Sequence, residues 1–492
     1  MCGIVGIIGN YDVSREAYNG LLGLFHRGPN ASGMISFDGQ IHEKKGLGKI
    51  DAICGNCLGE LTGHATLGHN RYVTIGKNLP EDAQPHFTKN PSIIMAHNGN
   101  ILNVLSLREE FGLDPSTLGC DVVYPLNIVA KNLKDKLSSD EKSADFFKDS
   151  LVPCFEAMMN KLIGAYSIVA IIENKGLVAV RDPHGIRPLS MAKTGPVDKK
   201  GYAFASENRI FDPNFMRDYN FEREVSRGEL IFIDNDLNVF NQVIREEAES
   251  FCPFEPVYFA KPDSSFKGQQ VFVSRYNLGK ALAREFSSLK DKVDVIMPIP
   301  NTPIIAGMAM GDAWNKPVGG IVKNPGNGEK QAGKDITEIR VFLQPTPEER
   351  KQALNKKYIG VKEYIQGKRI LLVDDSTVRG DTSTFIVKEL RERGAAWVGM
   401  AVTFRPYKHP CIYGIDTAER EKLISYNQTD EEVRQKTNLD HLVYLSLDRL
   451  LRATNLEGRA CTACMTGVYP TSTEEYFAFE KMRKEDRAAA NL

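Results

Sequence analysis

The chain lacks a long hydrophobic run. Its longest apolar stretch, LIGAYSIVAII at 162–172, is about half of the roughly 20 residues that a bilayer-spanning helix needs. A basic segment followed by an apolar core, the pattern of a secretory leader, is also missing at the start, so the expected compartment is the cytoplasm. Neither sign of charge is in excess: 62 lysines and arginines face 63 aspartates and glutamates, for a formal net charge of −1. Bulk electrostatics therefore gives no attraction for nucleic acid or an anionic membrane, and any anion site has to be built locally. Internal repeats and low-complexity tracts are absent. The 492 residues suit roughly two to four domains. Nine cysteines, in a reducing compartment, read as buried thiols, metal ligands or catalysts rather than as disulfides.

What is present begins at residue 2. The opening MCGIVG means that removal of Met1 leaves a cysteine bearing both a thiol and a free α-amine. With an amine pKa near 7.7 to 8.0 and a thiol pKa near 8.5, Cys2 has nucleophile and base in one residue; the plain alternative is a small apolar residue starting a strand. Four segments accompany it: HRGPNASG at 26–33, LGHNRYVTIG at 67–76, AHNGNI at 96–101 and the pair Cys120 and Asp121. Amide hydrolysis needs donors where the oxyanion forms and fixed charges that grip the substrate's carboxylate and amine. Asn98 and Gly99 can supply the donors, Arg71 the planar fork for a carboxylate, and Asp121 the acceptor for an ammonium. Each alone also reads as a turn or a surface ion pair; their joint order is what points to chemistry.

Residues 2 to about 245 read as short β-rich apolar runs punctuated by glycine, with one helical region around 126–161, which predicts sheets packed with helices. From Val293 the pattern becomes strand, loop, helix: VDVIMPIP, a small-residue helix from Pro303, RILLVDD at 369–375, a helix running toward Gly394, then AWVGMAVTF. That alternation predicts a doubly wound parallel sheet. The expected division is a domain at 2–245, a second at 252–450 and a C-terminal segment at 451–492 with a solvated helical tail. The strand at 369–375 delivers two carboxylates at its carboxyl end and is followed by a Gly/Thr/Ser turn opening a helix. Ligands of open α/β sheets sit there, and helix N-termini favour phosphate. Asp374 and Asp375 suit ribose hydroxyls and Mg²⁺, and Arg379 to Ser383 a 5′-phosphate, although receiver-like domains share the bare pattern. Cys252, Cys411, Cys461 and Cys464, converging in space, would suit zinc or an iron–sulfur cluster; unrelated buried thiols are the other reading.

Together with RDPHGIRPL at 181–189 and ASEN at 205–208, the N-terminal segments resemble the class II glutamine amidotransferases. The resemblance implies a four-layered αββα fold, with Cys2 as nucleophile, Asn98 and Gly99 as oxyanion hole, Arg71 and Asp121 as glutamine clamp, and Arg27 shaping the pocket. FAKPDS at 259–264, GQQVFVSRYNLGKALA at 268–283, MPIPNT at 297–302, FLQP at 342–345 and the acidic loop resemble, in order, the type I phosphoribosyltransferase domain of the amidophosphoribosyltransferase family. This likeness covers nearly the whole chain. It implies transfer of the amide nitrogen of glutamine to phosphoribosylpyrophosphate, giving 5-phosphoribosylamine, glutamate and pyrophosphate, the step that opens purine synthesis. It further implies Mg²⁺ at Thr302, Asp374 and Asp375; phosphoribosylpyrophosphate on Asp374, Asp375, Ser376, Arg379, Gly380, Thr382, Ser383 and Lys323; and a lid from Lys323 to Arg340. The contexts of Cys252, Cys411, Cys461 and Cys464 are similar to the branch whose cysteines hold a [4Fe–4S] cluster. A homodimer or homotetramer inhibited by purine nucleotides is implied as well. Pro29, Asn30, Asn301, Asp381 and a longer lid depart from the family pattern and motivate two rivals, a paralogue aminating another phosphosugar and a catalytically silent iron–sulfur regulatory protein. Cys54 and Cys57 receive no role and read as a shielded loop.

Overall fold

The computed structural model describes the chain apart from residues 74–78, 113–119, 138–140, 197, 324–329, 332–333, 336–357, 416, 418–419 and 491–492; for 323, 330–331, 334–335, 358–359 and 483–490 only the backbone is described. Two antiparallel sheets stack in the first half. One has seven strands in the order Tyr219–Glu224, Ser190–Thr194, Gly201–Ala205, Gly3–Gly9, Ala65–Arg71, Ala31–Phe37, Ile41–Leu47; the other has six, Val239–Val243, Glu229–Asp234, Gly176–Arg181, Gly164–Ile172, Ser92–Ile101, His86–Lys89. Successive side chains of a strand point to opposite faces, and here both faces are covered. Ile4 and Ile8 enter the core between the sheets with Leu67, Val169 and Ile171, whereas Val5 and Ile7 pack with Ala17 and Leu21 of the helix Ser14–Gly23. On the far side, Ile168, Ala170 and Ile172 meet Ile128 and Val129 of helix Val123–Leu133 and Phe155 and Met158 of helix Val152–Lys161. Each such fully buried aliphatic side chain stabilises by about 1.5–3 kcal/mol relative to exposure. The result is the expected αββα layering, and it explains why these strands read as near-continuous apolar runs.

The second half is built on four parallel strands in the order Val295–Pro298, Arg369–Asp374, Trp397–Val402, His441–Tyr444. Leu371 and Val373 face Leu278, Ala306 and Met310 of the helices Val271–Glu285 and Ile304–Trp314, while Ile370 and Leu372 face Ile386, Val387 and Leu390 of helix Asp381–Glu392. Helices thus cover both faces, as the alternation predicts. His441–Tyr444 completes the sheet beyond the strands read from the sequence; four residues are too few for a clear period. The charged tail belongs to helix Glu474–Ala490, whose first turn docks on the N-terminal half: Glu475 accepts from the amide and hydroxyl of Ser106 at 2.8 and 3.0 Å. No helix among the described residues is long and apolar enough to cross a membrane.

Candidate active site

Cys2 sits directly before the strand Gly3–Gly9, at the edge where Ala65–Arg71 and Ser92–Ile101 also end. Its backbone N–H donates to Asn98 Oδ1 at 3.1 Å, its carbonyl accepts from Arg27 Nε at 2.8 Å, and its sulfur lies 3.5 Å from the amide nitrogen of Tyr72. Asn98 is buried, and its Nδ2 has no hydrogen-bond partner among the described residues, so the side chain that holds the Cys2 amide also carries an unpartnered amide donor. Gly99 has φ +154°, and a Cβ there would lie 1.9 Å from the carbonyl oxygen of Ala165; only glycine lets the two strands approach so closely. Arg71 ends its strand buried, with NH1 3.3 Å from Asp82. Asp121 is buried too and accepts from the amide of Ile101 at 2.9 Å. Burial opposes its charge, but His97, 3.3 Å away, and that amide outweigh burial and hold the carboxyl below its ordinary range. Cys2, Asn98, Gly99 and Arg27 are therefore in mutual contact or sequence adjacency, and Arg71 and Asp121 flank them.

Arg27 has a further role that its motif does not reveal. It is fully buried, with NH1 2.6 Å from Glu207 and 3.0 Å from Glu255, and NH2 2.9 Å from Glu255. His26 also reaches Glu207 at 2.7 Å. Glu255 belongs to the CPFEP segment that starts the second half, so this ion cluster joins the two halves directly beneath the thiol. Met1 is buried in the core that both halves share, and burial pushes its amine down to about 4. Asn30, a departure from the family pattern, accepts from the amide of Val73 at 3.3 Å and so fixes the chain beyond Arg71.

The second set of residues lies at the carboxyl ends of neighbouring parallel strands. Asp374 and Asp375 are buried side by side, the amide of Asp375 donating to Asp374 Oδ1 at 2.9 Å and Ser376 Oγ to Asp375 Oδ1 at 2.8 Å. Burial raises both carboxyls, and for Asp374 its charged neighbour raises it further. Without a cation the pair retains a proton more readily than exposed aspartates do. The guanidinium of Arg275, held by the carbonyls of Pro256, Tyr258 and Ala260, acts on Asp375 electrostatically in the opposite sense. The chain then runs through exposed Arg379 to Gly380, at φ +81°, which caps the helix bearing Thr382 and Ser383. Asp381 is exposed, so its carboxylate is solvated. Thr302 follows the adjacent strand. Lys323 ends a short ribbon strand, Ile321–Lys323; its side chain, and the side chains of the lid to Arg340, lie outside the described residues.

Cys252, Cys411, Cys461 and Cys464 line one cavity with Arg187 and Tyr407. Backbone contacts hold them there: the amide of Cys461 donates to Phe251 O at 2.9 Å, that of Cys411 to Thr417 Oγ1 at 2.7 Å, and that of His409 to Cys464 O at 3.0 Å. Burial pushes Cys252 up to about 11 and Cys461 up to about 12. Among the described residues no three His, Cys, Asp or Glu side chains sit closely enough for a single metal ion. A cubane cluster separates its thiolates more widely than a single ion does, and four soft donors around one largely apolar cavity fit that group. Cys54 is buried and Cys57 bonds to Ile53 O at 3.4 Å within the helical layer of the seven-stranded sheet, remote from these groups in the fold.

His97, Glu207, Glu255 and Arg187 were not singled out from the sequence. His97, Arg187 and Glu207 lie inside the segments AHNGNI, RDPHGIRPL and ASEN, and adjacency to Asn98 is the one signal available for His97. A family model for a glutamine amidotransferase domain matches residues 69–213. The chain is 33% identical to the amidophosphoribosyltransferase of Methanothermobacter thermautotrophicus over 99% of this chain and 98% of that protein. It is 34% identical to the amidophosphoribosyltransferase of Bacillus subtilis over 96% and 94%. Among solved structures it is similar to the glutamine phosphoribosylpyrophosphate amidotransferase from B. subtilis complexed with ADP and GMP, with a TM-score of 0.80 at 32% identity, covering 96% of this chain and 98% of that one. A structure described as the allosteric regulatory enzyme of purine biosynthesis matches with a TM-score of 0.81 at 32% identity, covering 96% and 97%.

Proposed function

The chain belongs to the amidophosphoribosyltransferase family, and we infer from this and from its two sites that it transfers the amide nitrogen of glutamine to phosphoribosylpyrophosphate, yielding 5-phosphoribosylamine, glutamate and pyrophosphate. The single observation that carries this reading is the pairing of Cys2, seated on Asn98 beside Gly99, with a strand-end aspartate pair in the same chain. With Met1 removed, the Cys2 amine accepts the thiol proton and the thiolate attacks the glutamine carboxamide. Asn98 Nδ2 and the Gly99 amide receive the oxyanion, ammonia leaves, and water releases glutamate from the thioester. Arg71 and Asp121 grip the carboxylate and ammonium of glutamine, and Arg27 fixes Cys2 from beneath. Ammonia passes to the second site inside the protein, because in neutral water it becomes ammonium and loses its nucleophilic lone pair. There it attacks C1 of the ribose and pyrophosphate departs.

In this reading residues 2–245 form the glutaminase domain, 252–450 the phosphoribosyltransferase domain, and 451–492 a segment returning to the first. Asp374, Asp375 and Thr302 hold Mg²⁺, which when bound neutralises the pyrophosphate leaving group. Ser376, Arg379, Gly380, Thr382 and Ser383 cradle the 5′-phosphate, and Lys323 faces pyrophosphate. The four-thiol cavity holds a [4Fe–4S] cluster in a structural role. The reading places the protein in the cytoplasm. A homodimer or homotetramer inhibited by purine nucleotides completes the proposal; the relative solved with ADP and GMP supports its nucleotide part. The test is Cys2→Ala: glutamine-dependent turnover disappears while turnover with added ammonia persists. Equal loss of both, or active protein whose intact mass retains Met1, overturns the division of labour.

A further inference from the structure

The loop that carries Cys411 is seated on the oxyanion strand. Ile412 O accepts from Asn100 Nδ2 at 2.7 Å, and Gly414, at φ +106°, lies so close that a Cβ there would come within 2.9 Å of Gly99 O. Between these two contacts, the carbonyl of Tyr413 is gripped by Arg187, through Nε at 2.8 Å and through NH2. Arg187 is fully buried, and its NH1 has no hydrogen-bond partner among the described residues; the carboxylate of Glu255 is 3.8 Å away, and the same guanidinium lines the cavity of the four thiols. A buried cation turned toward four potential thiolates, and bonded to the loop that one of them occupies, is placed to sense whether they carry negative charge.

We propose that Arg187 is the positioning residue through which the four-thiolate site braces the oxyanion hole: the loaded cluster, which carries net negative charge with its four thiolates, holds the guanidinium, the guanidinium holds Tyr413, and residues 412–414 press Gly99 and Asn100 into register. Without the cluster, the carboxylate of Glu255, 3.8 Å from Arg187 and also the partner of Arg27 beneath Cys2, draws the guanidinium unopposed. Loss of the cluster then loosens both supports of the nucleophile at once. This inference rests on reading the four thiols as a cluster site.

The experiment uses the full-length protein, reconstituted anaerobically with iron and sulfide, in wild-type, Arg187→Gln and Arg187→Lys forms. Iron and sulfide content, the cluster's midpoint potential and glutamine kcat and KM are measured with the cluster loaded and after its removal by chelation. In the wild type, removal lowers glutamine kcat roughly tenfold, less than the loss of an oxyanion donor, with KM changed less than kcat, and reloading restores it. Arg187→Gln binds less iron or shows a lower midpoint potential, because a buried positive charge beside the cluster is gone, and its kcat no longer responds to loading. Arg187→Lys recovers the potential in part but not the kcat response, since an ammonium lacks the fork that grips Tyr413. A wild type that takes up no iron and sulfide overturns the cluster reading itself. A wild type that loads normally but has equal kcat with and without the cluster, or an Arg187→Gln protein matching it in potential and response, overturns the role of Arg187 while leaving the cluster reading intact.

Discussion

Replacing Arg27 by methionine is the sharpest probe of the joint between the halves. The guanidinium is fully buried and makes two bonds to Glu255 and one to Glu207, at 2.9, 3.0 and 2.6 Å. Without it Glu207 keeps His26 at 2.7 Å and Ser264 at 2.6 Å, but among the described residues Glu255 keeps only Arg187 at 3.8 Å. Removing one partner of a buried pair costs about 3–5 kcal/mol. A ceiling follows from the alternative open to a stranded carboxylate, which is to bind a proton. From an ordinary pKa near 4.3 that costs about 1.4 kcal/mol per pH unit, hence about 3.7 kcal/mol at pH 7 and about 1 kcal/mol at pH 5. In that regime the variant's folded state binds one proton more than its unfolded state, so its stability relative to the wild type falls as pH rises. Urea midpoints of both proteins between pH 5 and pH 7 measure the difference. Glu255→Gln added to Arg27→Met should recover most of the loss at pH 7 and flatten the pH dependence. A destabilisation equal at both pH values would show that lost packing, not a stranded charge, dominates, and the ion-cluster account would be wrong.

Gly99→Ala should lower glutamine kcat by about a hundredfold, the scale of a displaced oxyanion donor, because its Cβ meets the Ala165 carbonyl; ammonia-dependent turnover is the internal control, and a near-normal kcat would contradict the close approach. His97→Gln removes the imidazole 3.3 Å from Asp121 and should raise glutamine KM roughly tenfold, the cost of a weakened hydrogen bond to a charged group, with ammonia-dependent kinetics unchanged. The raised pair Asp374 and Asp375 binds protons more tightly folded than unfolded, so its stability contribution is full below the unfolded pKa and is lost as pH rises through the folded one. Asp375→Asn should therefore stabilise the Mg²⁺-free protein above about pH 6, by roughly 1.4 kcal/mol for each pH unit by which the folded carboxyl titrates above the unfolded one, while abolishing phosphoribosylpyrophosphate turnover. Unfolding midpoints that fail to rise would refute the burial cost assigned to the pair.

Much of this architecture is legible from residue order. Ile4 to Ile8 and Ile168 to Ile172 announce strands covered on both faces, and RILLVDD announces a buried strand that ends in acid. The residues proposed as oxyanion pair and clamp stand out in the sequence because Asn98, Gly99 and Arg71 lie in compact, recognisable segments. What could not be read is what long-range closure creates. Arg27 and Glu255 are 228 positions apart, and Asn100 and Ile412 are 312 apart; no local period or spacing encodes such meetings. Arg187 shows the same limit, since its motif is plain but its direction toward the thiols depends on residues 252, 411, 461 and 464 converging.

The seating of residues 412–414 on Gly99 and Asn100 bears on when this protein becomes able to consume glutamine. During synthesis Cys2 and the strand Ser92–Ile101 emerge first, yet Ile412, whose carbonyl accepts from Asn100, leaves the ribosome 312 residues after it. On the proposed reading, a nascent chain has Cys2 and Asn98 before the segment that backs them, so glutamine hydrolysis awaits the acceptor half that uses the nitrogen.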